Sequence, residues 1–354
     1  MVKPMTTSDE TTLLPHFSNT DVLIVGAGLC GLMAANVLAA GGQRVTVLDK
    51  ATSVGGRLAT RRSGPGRADH GAQFFTVRSA EFAAWVQHWI DAGLVYQWST
   101  GWSDGSLAQS KNDGHPRYAV AGGMKALAKH LAAQAMTAGA TILTATRASA
   151  ASITQDGWHV LTEQGQELTA RQLLLTSPVP QSLALLDAGQ TALATDERAA
   201  LEQIRYAPCL VGLFRVEGEV HLPGPGALQQ PGAAITWIAD NQRKGISPDA
   251  QLITMHAGPE WSAAHYDASD GQLLAEFEQA LQPFLGDGAQ VRDAQIKRWR
   301  YSQPTVLHPA PFLHAKTSPP LYFGGDAFGS PRIEGAALSG LAIAEHLRNR
   351  NTPV

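Results

Sequence analysis

Hydrophobic and polar positions near the start of the chain follow the pattern of a strand, a helix and a second strand. Residues 21–28 (DVLIVGAG) form a short apolar run that stops at glycine, which is typical of a buried parallel strand. Residues 29–42 have helical character and end at Gly41 and Gly42. Residues 44–48 form a second strand that ends at Asp49. Together these segments occupy about 30 residues, the size of one βαβ unit.

The pattern continues through residue 178. A helix with one apolar stripe is predicted after Ser79, carrying Phe82, Trp85, Val86, Trp89 and Ile90. Residues 99–116 are rich in Gly, Ser, Asp and Asn and predict a loop or hairpin. A second helix is predicted between Gly123 and Gly139, followed by a strand over 140–146, a meander over 152–172 and a strand over 171–176.

The pattern of predicted elements changes after residue 178. Short strands over 210–216, 233–239 and 252–257 are separated by Pro- and Gly-rich turns, and an amphipathic helix runs over about 271–285. This region predicts a second domain that is mostly antiparallel. The chain then returns with a strand over 321–326 and a last helix.

These elements predict an α/β fold in which a Rossmann-type dinucleotide-binding domain is interleaved with a second domain, a mostly antiparallel β-sheet plus helix. A length of 354 residues agrees with two closely joined domains. We assign residues 19–75, 117–180 and 300–354 to the dinucleotide-binding domain and residues 76–116 and 181–299 to a substrate domain. Residues 1–18 are polar and are expected to form a flexible tail.

Composition narrows the possible partners and location. The net charge of −3 gives no field that would draw the protein to nucleic acid or to an anionic membrane. Two cysteines are too few for a disulfide framework. The first twenty residues lack an apolar signal-peptide core, and no stretch approaches the length of a membrane span. We therefore expect a soluble, cytoplasmic protein without a metal site.

The glycine-rich turn Gly26-x-Gly28-x-x-Gly31 predicts a dinucleotide site between the first strand and the first helix. The first glycine allows a tight turn, the second lets the backbone approach a diphosphate, and the third lets the helix pack on the sheet. The helix N-terminus offers N–H groups and partial positive charge to the phosphates. Asp49, about 20 residues further on at a strand end, is placed to accept hydrogen bonds from ribose hydroxyls.

Two features favour FAD over free NAD. Gly55-Gly56-Arg57 lets the chain approach a bulky ligand, and the guanidinium of Arg57 can pair with phosphate. Near the other end of the chain, Asp326 ends a strand and could hold the ribityl chain. Residues 333–337 (IEGAA) open the last helix, whose N-terminus could face a flavin carbonyl.

Four blocks spread along the chain resemble the renalase family within the amine-oxidase-like flavoprotein superfamily. They are residues 68–76 (ADHGAQFFT), 117–124 (RYAVAGGM), 297–304 (KRWRYSQP) and 332–340 (RIEGAALSG). The resemblance implies that Cys30, Arg57, Gln73 and Phe74 contact FAD. Residues 119–124 and 176–178 depart from the family's usual pattern, which leaves the substrate more open than the cofactor.

The motifs and the resemblance together predict a set of residues that bind FAD. These residues are Gly26, Gly28, Leu29, Cys30, Gly31, Asp49, Lys50, Gly56, Arg57, Leu58, Gly71, Ala72, Gln73, Phe74, Gly325, Asp326, Ile333, Glu334, Gly335 and Ala336. Neither cysteine lies in a motif associated with flavin attachment, so non-covalent FAD is expected.

The resemblance also implies a reaction. Renalase-like enzymes oxidise dihydropyridine isomers of NAD(P)H, the 2- or 6-dihydro forms, to NAD(P)+, and dioxygen then takes the electrons and yields hydrogen peroxide. Loss of hydride restores aromaticity, so no strong protein base is required. We expect the catalytic walls around flavin and substrate to include Gln73, Tyr206, Trp299 and Tyr301, because aromatic faces stack on flat rings and exclude water.

Other functions fit the same scaffold. A flavin amine oxidase or desaturase would take hydride from a small amine, a flavin monooxygenase would consume NADPH, and a flavin-bound sensor would not be reduced by any donor. We interpret His70 and His256 as structural residues. Arg298 and Arg300 could neutralise a substrate phosphate, although alternating charges on a strand are typical of a solvated face. The physiological donor and the oligomeric state stay open.

Overall fold

The computed structural model describes residues 17–104 and 111–351. Most of the predicted tail and the tip of the loop at 105–110 therefore lie outside the described residues. The strands are β1 (Phe17–Val25), β2 (Val45–Leu48), β3 (Thr60–Ser63), β4 (Gly66–Asp69), β5 (Val95–Trp102), β6 (Lys111–Val120), β7 (Thr141–Leu143), β8 (Ala148–Thr154), β9 (Gly157–Thr162), β10 (Glu167–Leu175), β11 (Arg205–Glu217), β12 (Ala227–Gln229), β13 (Ile235–Asp240), β14 (Gln251–Ala257), β15 (Gln290–Val306), β16 (Leu313–Ala315) and β17 (Leu321–Phe323). The helices are α1 (Leu29–Ala40), α2 (Ala80–Asp91), α3 (Lys125–Thr137), α4 (Val179–Ala188), α5 (Thr195–Glu202), α6 (Pro259–Ala264), α7 (Asp270–Leu281) and α8 (Arg332–Asn351).

A mixed sheet of eight strands carries the predicted βαβ unit. Its main path is β16-β17-β10-β1-β2-β7, and β9 joins β10 with β8 beside it. Strands β17, β10, β1, β2 and β7 run parallel. Leu23 and Ile24 on β1 are fully buried, as expected for a strand covered on both faces. This arrangement confirms the predicted α/β fold with a Rossmann-like domain.

Helix α1 packs between the sheet and two other helices, α3 and α8, in the largest apolar cluster. A glycine on each partner allows close approach. A Cβ on Gly31 of α1 would lie 2.1 Å from the Gly26 carbonyl oxygen, and one on Gly340 of α8 would lie 2.3 Å from the Cys30 carbonyl oxygen. Backbone therefore contacts backbone on two sides of the first turn of α1.

A second sheet of five strands, in the order β12-β13-β14-β11-β15, is antiparallel throughout. Helix α7 covers it with Leu273, Phe277 and Leu281, which pack in one cluster with Phe214 of β11. The antiparallel second unit predicted from the sequence is thus present. Its helix ends at 281 rather than 285, because Pro283 leads into a short 3-10 turn over Gln282–Phe284.

Two helical segments pack differently from the predicted domain division. Helix α2, placed in the substrate domain, buries Phe82, Val86 and Trp89 in the cluster of α1. Helices α4 and α5, also placed there, bury Leu186 and Leu201 beside the strands of the large sheet. The domain boundaries remain a prediction, and this packing favours moving the boundary at 180 to about residue 204.

Candidate active site

The carboxyl ends of the parallel strands open onto one large cavity. Its volume is about 2460 Å³, and its wall includes the residues that follow β1, β2, β10 and β17. Open α/β sheets bind their ligands at this edge. The opposite wall comes from the five-stranded sheet, through β11, β13, β14 and β15. The cavity is thus shared by both sheets.

The glycine-rich turn has room for a diphosphate at Gly28 and nowhere else in the motif. A Cβ on Gly26, whose φ is +118°, would lie 2.5 Å from Thr176 Oγ1, and Gly31 is equally confined. By contrast, a Cβ on Gly28 would meet nothing within 4 Å. Gly28 also begins α1 without a side-chain cap, so the first N–H groups of the helix have no side-chain acceptor there.

Asp49 follows β2 and braces the loop around the dinucleotide site. Its Oδ2 accepts the Ala27 N–H at 2.8 Å, and its Oδ1 accepts the Ala51 N–H at 2.8 Å. Each carboxylate oxygen retains a lone pair, so the group can still accept hydroxyl hydrogen bonds. The neighbouring Lys50 donates to Gln181 Oε1 at 3.1 Å.

Arg57 and Asp326 are paired with each other. Two guanidinium nitrogens of Arg57 donate to the two carboxylate oxygens of Asp326, at 2.8 and 2.6 Å. Arg57 also donates to the carbonyl oxygens of Tyr301 and Ser302. The sequence suggested separate roles, phosphate for Arg57 and ribityl for Asp326. The structure joins them into one bidentate pair beside the glycine-rich turn.

The start of α8 is fastened to the start of α2. Glu334 accepts the backbone N–H groups of Arg78 and Ser79 at 3.0 and 2.7 Å, so its carboxylate is already bonded to protein although it lines the cavity. Gly335 does not line the cavity, because it faces Ser330, whose carbonyl oxygen would lie 1.7 Å from an added Cβ. Gly31 does not line it either. The other predicted FAD-binding residues all do, and their contacts with FAD remain predictions.

Gln73 is buried beside His256. Its Nε2 donates to the carbonyl oxygens of Asp69 and Gly71, at 2.7 and 3.1 Å, and lies 3.3 Å from His256 Nε2. Burial lowers the pKa of His70 to about 4 and that of His256 to about 3. Both imidazoles are therefore neutral near pH 7, and their interpretation as structural residues stays a prediction.

Aromatic rings form much of the remaining wall. Phe74 packs against Trp237 with ring centroids 5.4 Å apart, and both line the cavity with Trp299 and Tyr301. Trp299 stacks on His70 and donates to its carbonyl oxygen at 2.7 Å.

Tyr206 does not line the cavity, and the expectation for it needs correction. It lies behind Tyr301, edge to face at 5.5 Å, and its hydroxyl accepts the Val179 N–H at 3.3 Å. Its neighbours belong to the core of the large sheet. The residue lies where β11 begins, and the sequence could not show that Tyr301 would stand between it and the cavity.

A buried ion pair behind Gln73 joins the turn after β13 to the end of β4, and no sequence pattern predicted it. Lys244 Nζ lies 2.7 Å from Asp69 Oδ2, and both side chains are 0% exposed. Lys244 also donates to the Gln73 carbonyl oxygen at 2.6 Å and lies over the Trp98 ring. Asp69 Oδ1 accepts the Met124 N–H at 2.9 Å. Lys244 stands in a polar turn whose local sequence resembles an ordinary solvated loop.

Both thiols lie in apolar surroundings. Burial raises the pKa of Cys30 and of Cys209 to about 12. Cys30 points at Ser339 of α8, with Sγ and Oγ 3.7 Å apart. Within the described residues, His, Cys, Asp and Glu side chains form no cluster that could hold a metal ion. No helix in the part of the chain that the structure describes is long and apolar enough to cross a membrane.

The fold and the glycine-rich turn define a dinucleotide-binding oxidoreductase. Residues 24–89 match the NAD(P)-binding Rossmann-like domain family. Residues 83–348, well over half of the chain, match the family of flavin-containing amine oxidoreductases. The chain therefore belongs to the flavin-containing amine oxidoreductase family. It is an enzyme whose cofactor is FAD, and the residues of the glycine-rich turn fit that cofactor's diphosphate.

Solved structures share the fold at low sequence identity. A protein proposed to be a protoporphyrinogen oxidase, from Exiguobacterium sp. 255-15, aligns with a TM-score of 0.69 at 15% identity over 95% of this chain and 100% of its own. Putrescine oxidase bound to putrescine aligns with a TM-score of 0.65 at 14% identity over 94% and 99%.

Likeness to curated proteins is confined to a short segment. The L-amino-acid oxidase of Echis ocellatus is 54% identical over 43 residues, which are 12% of this chain and 8% of that protein. The L-amino-acid oxidase of Siganus canaliculatus is 45% identical over 51 residues, 14% and 10%. The matched segment thus spans a tenth or less of these relatives.

Proposed function

We propose that this protein oxidises dihydropyridine isomers of NAD(P)H, the 2- or 6-dihydro forms, to NAD(P)+. When bound, FAD accepts the hydride, and dioxygen together with a proton from water then takes up hydrogen and electrons as hydrogen peroxide. The chain itself then has to hold a flat ring, exclude water from it and place no unpaired charge beside it.

The observation that carries the proposal is the state of the carboxylates in the cavity wall. The described wall contains four, and each already has a partner: Asp49 and Glu334 accept backbone N–H groups, Asp326 pairs with Arg57, and Glu163 lies 3.2 Å from Arg147. A cationic amine would have to compete with these partners for a carboxylate or rely on aromatic faces alone, because an unpaired ammonium is costly to desolvate. A neutral dihydropyridine ring needs none.

The other groups near the predicted substrate position suit a flat, uncharged ring. Phe74, Trp237 and Tyr301 offer aromatic faces. His70 and His256 are neutral because burial lowers the pKa of each. Since hydride loss alone makes the pyridinium ring aromatic, the absence of a charged acid or base from this set is compatible with the reaction.

We further propose that FAD is held without a covalent bond. A thioether to flavin would require a reactive thiol, and the thiolate is the reactive form. Burial raises the pKa of both Cys30 and Cys209 to about 12, so neither forms a thiolate near neutral pH. Denaturation should therefore release all flavin into the supernatant.

Oxidation of a small amine is the second candidate, and the aromatic wall is what favours it. Phe74 and Trp237, with Trp102 behind them, could hold an ammonium by cation–π attraction. Putrescine oxidase, which shares the fold, carries such a substrate.

Anaerobic stopped-flow mixing separates the two candidates. The oxidised holoenzyme is mixed with 2-, 4- and 6-dihydro-NAD(P) and, separately, with putrescine, monoamines and L-amino acids. Rapid bleaching of the flavin by the 2- or 6-dihydro isomers, and by no amine, is the expected result. Bleaching by amines alone would overturn the proposal in favour of the second candidate, and bleaching by ordinary 4-dihydro-NADPH alone would indicate a monooxygenase.

A further inference from the structure

Arg300 lines the cavity and, within the described residues, has no acidic partner. Its guanidinium lies over the ring of Tyr266, 4.7 Å from the ring centroid. Such a contact holds the guanidinium by cation–π attraction, and within the described residues its N–H groups donate no hydrogen bond to the protein. Arg298, two residues earlier, is fully engaged with Asp270 and with the carbonyl oxygens of Tyr266 and Ala268.

The engagement of Arg298 has a consequence for Tyr266. By bonding to carbonyl oxygens of the 266–270 segment, Arg298 holds that segment against β15, and so holds the Tyr266 ring under Arg300. Both arginines are exposed, as on a solvated strand face, and both line the cavity. Arg298 thus positions Tyr266, and Arg300 packs over the Tyr266 ring.

A bulge in β15 places Arg300 beside the cofactor site. Opposite the single residue Pro208 of β11 stand three residues of β15, 300–302. Bulges of this kind redirect side chains next to active sites. Within the bulge, the carbonyl oxygens of Tyr301 and Ser302 accept hydrogen bonds from Arg57, which is itself paired with Asp326. The backbone on which Arg300 stands is therefore bonded directly to the dinucleotide site.

The charge of the cavity points to an anionic ligand. Eight basic side chains line the cavity: Lys50, Arg57, Arg78, Arg117, Arg147, Arg298, Arg300 and Arg332. Against them stand four carboxylates, all engaged. The diphosphate of FAD would place two negative charges by Gly28, whereas Arg300 stands on β15 in the opposite wall. A guanidinium with free edge donors binds phosphate or carboxylate oxygens in bidentate fashion.

We propose that Arg300, held over Tyr266, forms a substrate subsite for an oxyanion. Resting on the function proposed above, that oxyanion is a phosphate of the dihydropyridine nucleotide. The subsite makes the enzyme select phosphorylated dihydropyridines over uncharged ones, and it disfavours cationic amines by direct repulsion.

The test compares Arg300→Gln with Arg292→Gln. Arg292 lies on the same strand, pairs with Glu217 at 2.7 Å and does not line the cavity, so its replacement removes the same charge from a neutral location. Each holoenzyme is assayed with 6-dihydro-NAD and with an uncharged N-alkyl dihydronicotinamide. Arg300→Gln should raise KM for the nucleotide at least tenfold and leave KM for the uncharged compound within about twofold. Equal effects on both compounds, or no effect on either, would refute the subsite.

Binding of NAD+ gives a readout that does not depend on turnover. Calorimetric titration of oxidised holoenzyme should show Kd for NAD+ at least tenfold weaker in Arg300→Gln than in Arg292→Gln, and the loss should be partly restored in Arg300→Lys. If the wild-type enzyme oxidises dihydropyridines but both variants bind NAD+ equally well, the proposed function is retained and the subsite is refuted. Wild-type enzyme that is instead bleached by an L-amino acid, with bleaching lost in Arg300→Gln, would keep the subsite with a carboxylate as its ligand and overturn the proposed function.

Discussion

Replacement of Lys244 by Met should destabilise the protein far more than its loop position in the sequence suggests. Among the described residues, Lys244 is the one cation bonded to Asp69 Oδ2, and the change removes it while the Asp69 side chain stays 0% exposed. Breaking a buried ion pair from one side leaves an uncompensated charge and costs about 3–5 kcal/mol. For a chain of 354 residues that corresponds to a fall in Tm of about 4–7 °C.

The double variant Asp69→Asn, Lys244→Met distinguishes a charge effect from lost packing. With both charges removed, no ionised group remains buried and alone, so the double variant should be more stable than the sum of the two single changes implies. Differential scanning calorimetry of the apoprotein measures all four forms of this cycle. Additive losses would refute the reasoning, because they would show that the two side chains do not interact.

An exposed pair of the same length supplies the control. Lys316 Nζ lies 2.7 Å from Asp196 Oδ2, with both side chains about two-thirds exposed. Because solvent screens such pairs, Lys316→Met should leave Tm unchanged within experimental error. A fall comparable to that of Lys244→Met would mean that burial is not what makes the Asp69 pair matter.

Two further predictions follow from the glycines and the histidines. Gly28→Ala should leave apoprotein stability within about 1 kcal/mol, since φ is −76° and the space is open, yet weaken FAD binding at least tenfold in a flavin-fluorescence titration. Gly31→Ala should lower apoprotein Tm as well, because its Cβ would lie 2.1 Å from the Gly26 carbonyl oxygen. Because burial lowers the pKa of His70 to about 4 and of His256 to about 3, the unfolded chain binds more protons below about pH 6.5. Stability is thus complete above about pH 6.5 and falls as pH drops, by about 2 kcal/mol for each histidine at about pH 5, measured by urea unfolding.

Each of these has an outcome that would contradict it. Equal losses of apoprotein stability in the two glycine variants would mean that the space at Gly28 is not open. For the histidines, replacing His256 by Phe should reduce the loss of stability at low pH, whereas replacing the exposed His88 by Gln should not change that loss. If the His256 variant loses as much stability at low pH as the wild type does, that loss arises from other groups.

The βαβ unit could be predicted from local sequence because each of its parts is bounded by its own signal. The apolar run over 21–28 corresponds to β1, the helix after Gly28 to α1, and the short strand before Asp49 to β2. Glycine-rich turns can be predicted in the same way, since a turn without room for a Cβ admits only glycine. The predicted strand over 140–146 is shorter, because Ala145 adopts a φ of +51° and ends regular pairing at Leu143.

Partners of charged side chains could not be predicted, because pairing depends on residues far apart in sequence. Arg57 and Asp326 are separated by 269 positions, and Asp69 and Lys244 by 175. Asp69 lies inside one of the sequence blocks that resemble the family, whereas no pattern around Lys244 indicated that its side chain would be buried. The location of Tyr206 shows the same limit: its residue type suggested an aromatic wall, but only the packing of Tyr301 in front of it shows that it faces the core.

The residues that prepare the cofactor site are also residues that bond the five-stranded sheet to the segment over 55–73. Arg57 bonds the glycine-rich region to the bulge of β15, and Lys244 bonds the turn after β13 to Asp69 and to the Gln73 carbonyl oxygen. The shape of the cavity therefore depends on the assembly of both walls, because Arg57 bonds to β15 carbonyl oxygens and the Gln73 amide lies 3.3 Å from His256 of β14. This coupling explains why the recognisable sequence blocks occur in both halves of the chain: one block supplies Asp69 and Gln73, and another supplies the β15 carbonyl groups that Arg57 requires. It also means that loosening the Lys244 pair should weaken FAD retention through Gln73, although neither Lys244 nor Asp69 lines the cavity.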